Sequence, residues 1–200
     1  MRFSVVMASY LGAYQNAAAR RDEKIVRAIQ SVLDQTFKDF EIWVIADGCQ
    51  QTVDIVSRFT DERVNVKLID KRPFWDGEPR NTGIESARGE LIVYIDNDDF
   101  YGENHLQHID NHFGNSDWVY YNDWMYNKDG SWRIRHCDIR RLGRNGTSNV
   151  CHKRSLNARW GYRGYAHDHY FNQKLLFYSN HKKIPPAEYF VCHMPGYYDI

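Results

Sequence analysis

No stretch of this chain approaches the ~20 consecutive apolar residues of a membrane span. Its first apolar run, residues 3–8, is too short for a secretory leader. Close cysteine pairs are missing too. The four cysteines stand at 49, 137, 151 and 192, which is neither a disulfide framework nor a zinc-binding spacing. Reduced thiols in a cytoplasmic protein are the simplest expectation. There is no excess charge of either sign, since 26 Lys and Arg balance 26 Asp and Glu. Without a global field, neither nucleic acid nor an anionic membrane is an expected partner. Internal repeats and low-complexity tracts are absent as well. With no leader expected, the triplet Asn145-Gly146-Thr147 reads as a chance glycosylation acceptor.

What the chain does have is enough apolar material for one substantial core: 200 residues, 42% of them hydrophobic. Its first hundred residues alternate strand and helix signals. Residues 3–8 (FSVVMA), 40–46 (FEIWVIA), 64–69 and 91–95 (LIVYI) read as buried strands. Between them, Ile25, Ala28, Ile29 and Val32 form an apolar stripe at helical spacing, with Asp22 placed to cap it. Further helices are expected at 52–59 and 80–87. This alternation predicts an α/β fold, with a mainly parallel central sheet flanked by helices. Ligands of such sheets bind at the carboxyl ends of the strands.

The second half is less regular. Residues 117–126 and 131–137 flank Asn127-Lys128-Asp129-Gly130, a hairpin turn signal. A helix is expected at 167–178, a break at Pro185-Pro186 and a last strand at 189–193. Nine aromatics crowd this half: Trp118, Tyr120, Tyr121, Trp124, Tyr126, Trp132, Trp160, Tyr162 and Tyr165. Flat rings suit sugars, but alternating aromatics in strands more often pack a core, and that is the expectation for most of them.

The sharpest chemical signal is Asp96-Asn97-Asp98-Asp99, directly after the 91–95 strand. Two carboxylates two residues apart can reach one divalent cation, which can neutralise a diphosphate leaving group. A calcium loop does not fit, because its further ligands, mid-loop Gly and closing Glu are out of register. By position alone, a solvated acidic turn explains the cluster equally well.

The segment Arg80-Asn81-Thr82-Gly83-Ile84, then Ala87-Arg88-Gly89-Glu90, then LIVYIDNDD, resembles glycosyltransferase family 2, of the GT-A fold. The opening SVVMASYLG and the pair Asp47-Gly48 resemble that family's first strand, nucleotide loop and second nucleotide-contacting acid. The resemblance covers about residues 3–102, in the family's order. It implies a base and ribose pocket at Ala8, Ser9 and Tyr10, with Asp47 accepting from the base, uracil by preference. It implies Arg80 near the diphosphate, Asp96 and Asn97 on the nucleotide sugar, and Asp96 and Asp98 on Mn2+ (or Mg2+). Ala8 stands where the family often has Pro, and Cys49-Gln50 where Ser is common. These departures bear on base preference rather than on fold.

Beyond residue 102 the likeness is looser. NVCHKRS at 149–155 looks like the acceptor-side strand and its basic turn. Gly164-Tyr165-Ala166-His167-Asp168 matches a Glu-Asp helix start, with His167 in place of Glu. The resemblance makes Asp168 the general base, which an attacking acceptor hydroxyl needs; a purely capping role for Asp168 stays open. Asp99 and Asp123 are the next acids to consider. His193 matches a metal-binding His in some relatives, and His152 and His169 are weaker rivals.

The expectation is therefore one GT-A domain, 1–102 for the donor and 103–200 for the acceptor. It would move a sugar from a nucleoside-diphosphate sugar, such as a UDP-sugar, to a glycan or other hydroxyl, with inversion implied by the resemblance. Two alternatives stand beside it. A sugar-nucleotide-forming nucleotidyltransferase would need a Gly-rich basic loop after the first strand, where Leu11-Gly12-Ala13-Tyr14 offers one Gly and no cation. The other is a non-catalytic nucleotide-sugar-binding module.

Overall fold

The structure, a computed structural model, describes residues 1–73, 77–161, 164, 166–178 and 180–200. The first half runs β1 (Phe3–Ser9), α1 (Arg21–Leu33), β2 (Phe40–Asp47), α2 (Gln50–Val56), β3 (Val64–Ile69), α3 (Glu78–Ser86) and β4 (Leu91–Tyr94). The chain continues with β5 (Phe100–Tyr101), α4 (His105–Phe113), β6 (Trp118–Tyr120), β7 (Asp123–Tyr126) and β8 (Trp132–Arg135). It continues through β9 (Val150–Lys153), α5 (His167–Leu175), β10 (His181–Lys183), β11 (Tyr189–Val191), β12 (His193–Met194) and β13 (Tyr198–Asp199).

Seven strands form the central sheet, in the order β10-β6-β9-β4-β1-β2-β3. β1 pairs in parallel with both β2 and β4, and β2 in parallel with β3. β9 runs antiparallel to both β4 and β6. The expected α/β architecture is met, and β6, β9 and β10 of the second half extend the sheet begun by β1 to β4. A second sheet, β5-β11-β7-β8, stands beside it, and β12 pairs with β13.

Buried strands of this kind present alternate residues to two covered faces. Phe3, Val5 and Met7 of β1 pack with Ile25, Ala28, Ile29 and Val32 of α1 and with Leu106, Ile109 and Phe113 of α4. Val6 faces the other way, towards Ile84 before the end of α3 and Phe171 and Leu175 of α5. Burying each large aliphatic side chain contributes about 1.5–3 kcal/mol, so the α1 stripe alone fixes that helix on the sheet. Gly83 lets α3 approach closely, because a Cβ there would sit 2.4 Å from Val6 Cγ1.

Several elements differ from expectation. α1 begins at Arg21 after Arg20 in a left-handed conformation, so Asp22 lies inside the first turn and does not cap it. Residues 117–126 are two strands, β6 and β7, which belong to different sheets. α5 stops at Leu175, and the 189–193 segment divides between β11 and β12. Among the aromatics, Trp118, Tyr121 and Trp160 are buried, while Tyr120, Trp124, Tyr126 and Trp132 are half-buried. Tyr162 and Tyr165 lie outside the described residues.

Candidate active site

β4 leaves the sheet at Tyr94, and the chain turns at once. The Asp99 N–H donates to the Asp96 carbonyl at 3.2 Å, which places Asn97 and Asp98 at the tip of a tight turn. Tyr189 on β11 anchors that turn. Its hydroxyl accepts from the Asp96 N–H at 3.0 Å and donates to Asp99 Oδ2 at 2.8 Å. Asp99 Oδ1 accepts from the Cys192 N–H at 2.7 Å. Both Asp99 oxygens are thus engaged, and burial first, then the charges of Asp98 and Asp96, push its pKa well up. Asp123 is equally buried, held by Arg135 and by Asn149 Nδ2 at 3.0 Å. Both acids are tied into the frame of the site.

Asp96 and Asp98 are half-buried. Burial, then the neighbouring Asp96 charge, raises the Asp98 carboxyl to about 6, opposed by His193 and Lys24. A divalent cation would relieve this excess of negative charge, and two carboxylates are the hard oxygen donors that Mg2+ or Mn2+ take. The donor set therefore fits such an ion. Among the described residues, no group of three His, Cys, Asp or Glu side chains is gathered as a metal cluster. His193 lies close enough to affect Asp98, but its ring nitrogens face protein oxygens. Nε2 is 2.9 Å from the Asn16 carbonyl, and Nδ1 is 3.3 Å from Asp199 Oδ1.

Arg80 projects from the first turn of α3 and its guanidinium lies over the Trp160 ring, 4.9 Å from the centroid. Its Nη2 is 3.2 Å from both Asp96 Oδ1 and the Thr147 hydroxyl. Asp168 is the second residue of α5, one position inside the helix, and its Oδ1 accepts from the His169 N–H at 2.7 Å. Burial raises its pKa; Arg80 opposes the shift and Asp96 adds to it. Asp168, Arg80 and Asp96 thus share one electrostatic neighbourhood.

On the donor side, Asn97 Nδ2 donates to Ser9 Oγ at 3.0 Å, which joins the acid turn to the end of β1. Ala8, one residue earlier on β1, is half-buried. Asp47 ends β2, with Oδ2 at 2.7 Å from Lys71 Nζ and Oδ1 accepting from the Arg72 N–H at 2.7 Å. Lys71 also sits over the Tyr10 ring at 4.4 Å, so Tyr10, Asp47 and Lys71 form one cluster. Gly48, at φ 63, makes the turn that allows this, and a Cβ there would meet Lys71 Cβ at 2.4 Å.

Arg21 was missed by the sequence reading. Its guanidinium donates to the carbonyls of Tyr10, Leu11, Gly12 and Ala18 at 2.7–3.3 Å, holding the segment after β1 in shape. Lys71 was missed as well. Neither stands in a motif, and only the folded loop shows what they grip.

The family model described as "Glycosyl transferase family 2" matches residues 13–186, well over half the chain. The chain belongs to glycosyl transferase family 2. Among relatives in this family, the poly(ribitol-phosphate) β-N-acetylglucosaminyltransferase TarP of Staphylococcus aureus is 32% identical over 95 residues, 45% of this chain and 29% of TarP. An uncharacterised glycosyltransferase of Rickettsia bellii is 30% identical over 82 residues, 41% of this chain and 12% of that protein. Among solved structures, S. aureus TarS 1-349 in complex with UDP-GlcNAc has a TM-score of 0.74 at 21% identity, covering 96% of this chain and 58% of that one. The mannosyltransferase PcManGT of Pyrobaculum calidifontis, in complex with GDP-Man and Mn2+, has a TM-score of 0.67 at 14% identity, covering 98% and 58%. These likenesses show the GT-A fold. The chain spans less than two thirds of the length of each of these proteins. No helix among the described residues is long and apolar enough to cross a membrane.

Proposed function

We propose that this family 2 chain transfers a sugar from a nucleoside-diphosphate sugar, a UDP-sugar by preference, to a hydroxyl of an acceptor, in a metal-dependent reaction that inverts the anomeric carbon. The observation that carries the reading is the convergence of Asp96, Arg80 and Asp168 at the carboxyl end of β4. It is supported by the UDP-GlcNAc and GDP-Man bound by the two solved neighbours. The four cysteines are free and buried, which fits a reducing, cytoplasmic setting.

In this reading residues 1–200 act as one domain. Ala8, Ser9 and Tyr10 line the nucleoside pocket, and Asp47 accepts from the base. Its two oxygens each keep a lone pair beyond those used by Lys71 and Arg72. Asn97 holds the ribose side through Ser9. Arg80 turns from Asp96 to the diphosphate, where a guanidinium pairs well with phosphate oxygens. Asp96 and Asp98 would hold Mn2+ or Mg2+, with His193 as a third ligand once its ring leaves Asn16. Such a cation supplies charge neutralisation of the departing diphosphate. Asp168 takes the proton from the acceptor hydroxyl as its oxygen bonds to the anomeric carbon. The bond to the diphosphate oxygen breaks with its electron pair leaving on the nucleotide.

The direct test is a thermal-shift panel of nucleoside-diphosphate sugars with Mn2+. A ligand that binds only the native state raises Tm. UDP-sugars should raise it most, and Asp47→Ala should erase their advantage over GDP-sugars. Equal shifts for both would contradict the assignment of the base.

A further inference from the structure

Several arginines of this molecule are matched by acids. Arg2 pairs with Glu90 and Asp110, Arg63 with Asp61, Arg88 with Glu41 and Arg135 with Asp123. Arg58 and Arg133 are exposed and without an ion pair among the described residues, but singly; the connection from β8 to β9 gathers three such arginines. Arg140, Arg141 and Arg144 are all exposed, and among the described residues none has an ion pair or a side-chain hydrogen bond. The single acid of this stretch, Asp138, uses its carboxylate to accept the Arg140 backbone N–H at 3.1 Å.

These three cations do not ride on a loose strand. The Asp138 N–H donates to the Arg144 carbonyl at 2.8 Å, which closes residues 138–144 into a loop. Inside it, the Arg141 N–H donates to the Asp138 carbonyl and the Arg144 N–H to the Arg141 carbonyl. Gly143, at φ 74, makes the reversal. The foot of the loop is bound to α5. Cys137 and Ile139 are buried in the cluster that holds Phe171 and Leu175, and Gln173 Nε2 donates to the Ile139 carbonyl. Beyond the loop, Asn145 Nδ2 lies 3.4 Å from Nδ1 of His169, the neighbour of Asp168. Thr147 then accepts from Arg80. The loop is therefore anchored at its foot on α5, and the residues that follow it reach His169, next to Asp168, and Arg80.

Three arginines held in seven residues, with Asp138 the one acid among them, repel one another, and an anionic partner would offset that repulsion. The planar guanidinium fork matches phosphate and carboxylate oxygens. We propose that Arg140, Arg141 and Arg144 form an acceptor subsite for a chain that carries repeated anionic groups, phosphate or carboxylate, and hold it while one of its hydroxyls meets Asp168. The proposal rests on the transferase reading above and adds the class of acceptor.

Fluorescence anisotropy with labelled oligomers of equal length tests it apart from catalysis. The probes are inorganic polyphosphate, an oligogalacturonate and a neutral maltooligosaccharide, each with the full chain. The wild type should bind at least one anionic probe, more weakly as salt rises, and the neutral probe least. Whichever anion binds tighter assigns phosphate or carboxylate. Arg140→Ala, Arg141→Ala and Arg144→Ala combined should weaken that binding roughly tenfold to a hundredfold. The corresponding triple Lys variant should retain part of it, and UDP affinity should stay within about twofold in both. Equal affinity for the neutral probe, or an unchanged Kd in the Ala variant, would overturn the proposal. So would tighter Arg-dependent binding to phosphatidylglycerol vesicles or to single-stranded DNA. Loss of Arg dependence while UDP still binds sinks the subsite alone, whereas failure of the wild type to bind any nucleotide sugar sinks the transferase reading.

Discussion

Arg80 Nη2 lies midway between the Asp96 carboxylate and the Thr147 hydroxyl, 3.2 Å from each. One cation from α3 thus joins the end of β4 to the turn that precedes β9. This contact sets the donor-side acids against the acceptor-side elements. On the proposed function a donor diphosphate would compete with Asp96 for that guanidinium, and Arg80 would change partner on donor binding.

Removing that cation should cost transition-state charge stabilisation. Arg80→Ala should lower kcat/KM by roughly 10²–10³, the usual loss for one well-placed donor. Arg80→Lys should recover only part, because an ammonium lacks the planar fork. Steady-state kinetics with saturating acceptor reads both. A near-normal Ala variant would remove Arg80 from the diphosphate.

Asp168 is the next element to test. Its pKa is raised, chiefly by burial, and only the deprotonated form can accept a proton. The rate should therefore rise with pH through a pKa above the usual carboxylate range and level off beyond it. Asp168→Asn should cut turnover by about 10²–10⁴ and abolish that acid limb, while leaving UDP affinity and Tm close to wild type. A retained acid limb in the Asn variant would move the base elsewhere.

How much of this was legible in the sequence depends on locality. β1, β2, β3 and β4 each carry their own apolar run, and the acids follow β4 directly, so the strands and the acid turn were readable together. The acceptor half was not. β10 is His181-Lys182-Lys183, which no apolar pattern marks, and it joins the sheet only because β6 lies beside it. α4 was not read, since His105, His108 and His112 obscure its apolar stripe of Leu106, Ile109 and Phe113. Residues 117–126 looked like one strand because periodicity does not register the break at Tyr121-Asn122. The grips of Arg21 and Lys71 depend on carbonyls and a carboxylate brought together only by folding.

Asp99 should behave as a structural group and not as a catalytic one. Its two oxygens accept from Tyr189 and from the Cys192 N–H, bonds that set the acid turn against β11. Asp99→Asn keeps only one accepting oxygen, and such a mismatch at a buried group costs about 1–3 kcal/mol. A lower Tm should accompany whatever activity is lost, and UDP should restore part of it. Lost turnover with an unchanged Tm would contradict this role.

Three buried histidines make the fold acid-sensitive. Burial pushes His105 and His167 down to about 3 and His152 to about 4, so all three are neutral in the folded state. Unfolded, they would take up protons below pH ~6.5. The unfolded chain then binds more protons, so stability falls as pH drops from ~6.5 towards 4. His105 stacks on Tyr101 with 3.9 Å between centroids, and neither of its ring nitrogens has a hydrogen-bond partner. His105→Phe should keep the stack, and the plot of Tm against pH between 6.5 and 4 should become shallower. An unchanged slope would mean that other groups govern the acid transition.

The central claim is that Asp96 and Asp98 serve a metal-dependent transfer from a nucleotide sugar. Release of UDP from UDP-GlcNAc and other UDP-sugars, followed with Mn2+, with excess chelator and in Asp98→Ala, tests it most directly. The account predicts release by the wild type that chelation abolishes and added Mn2+ restores. It also predicts release lost in Asp98→Ala at an unchanged Tm. Undiminished release in excess chelator, or an Asp98→Ala variant as active as the wild type, would contradict it.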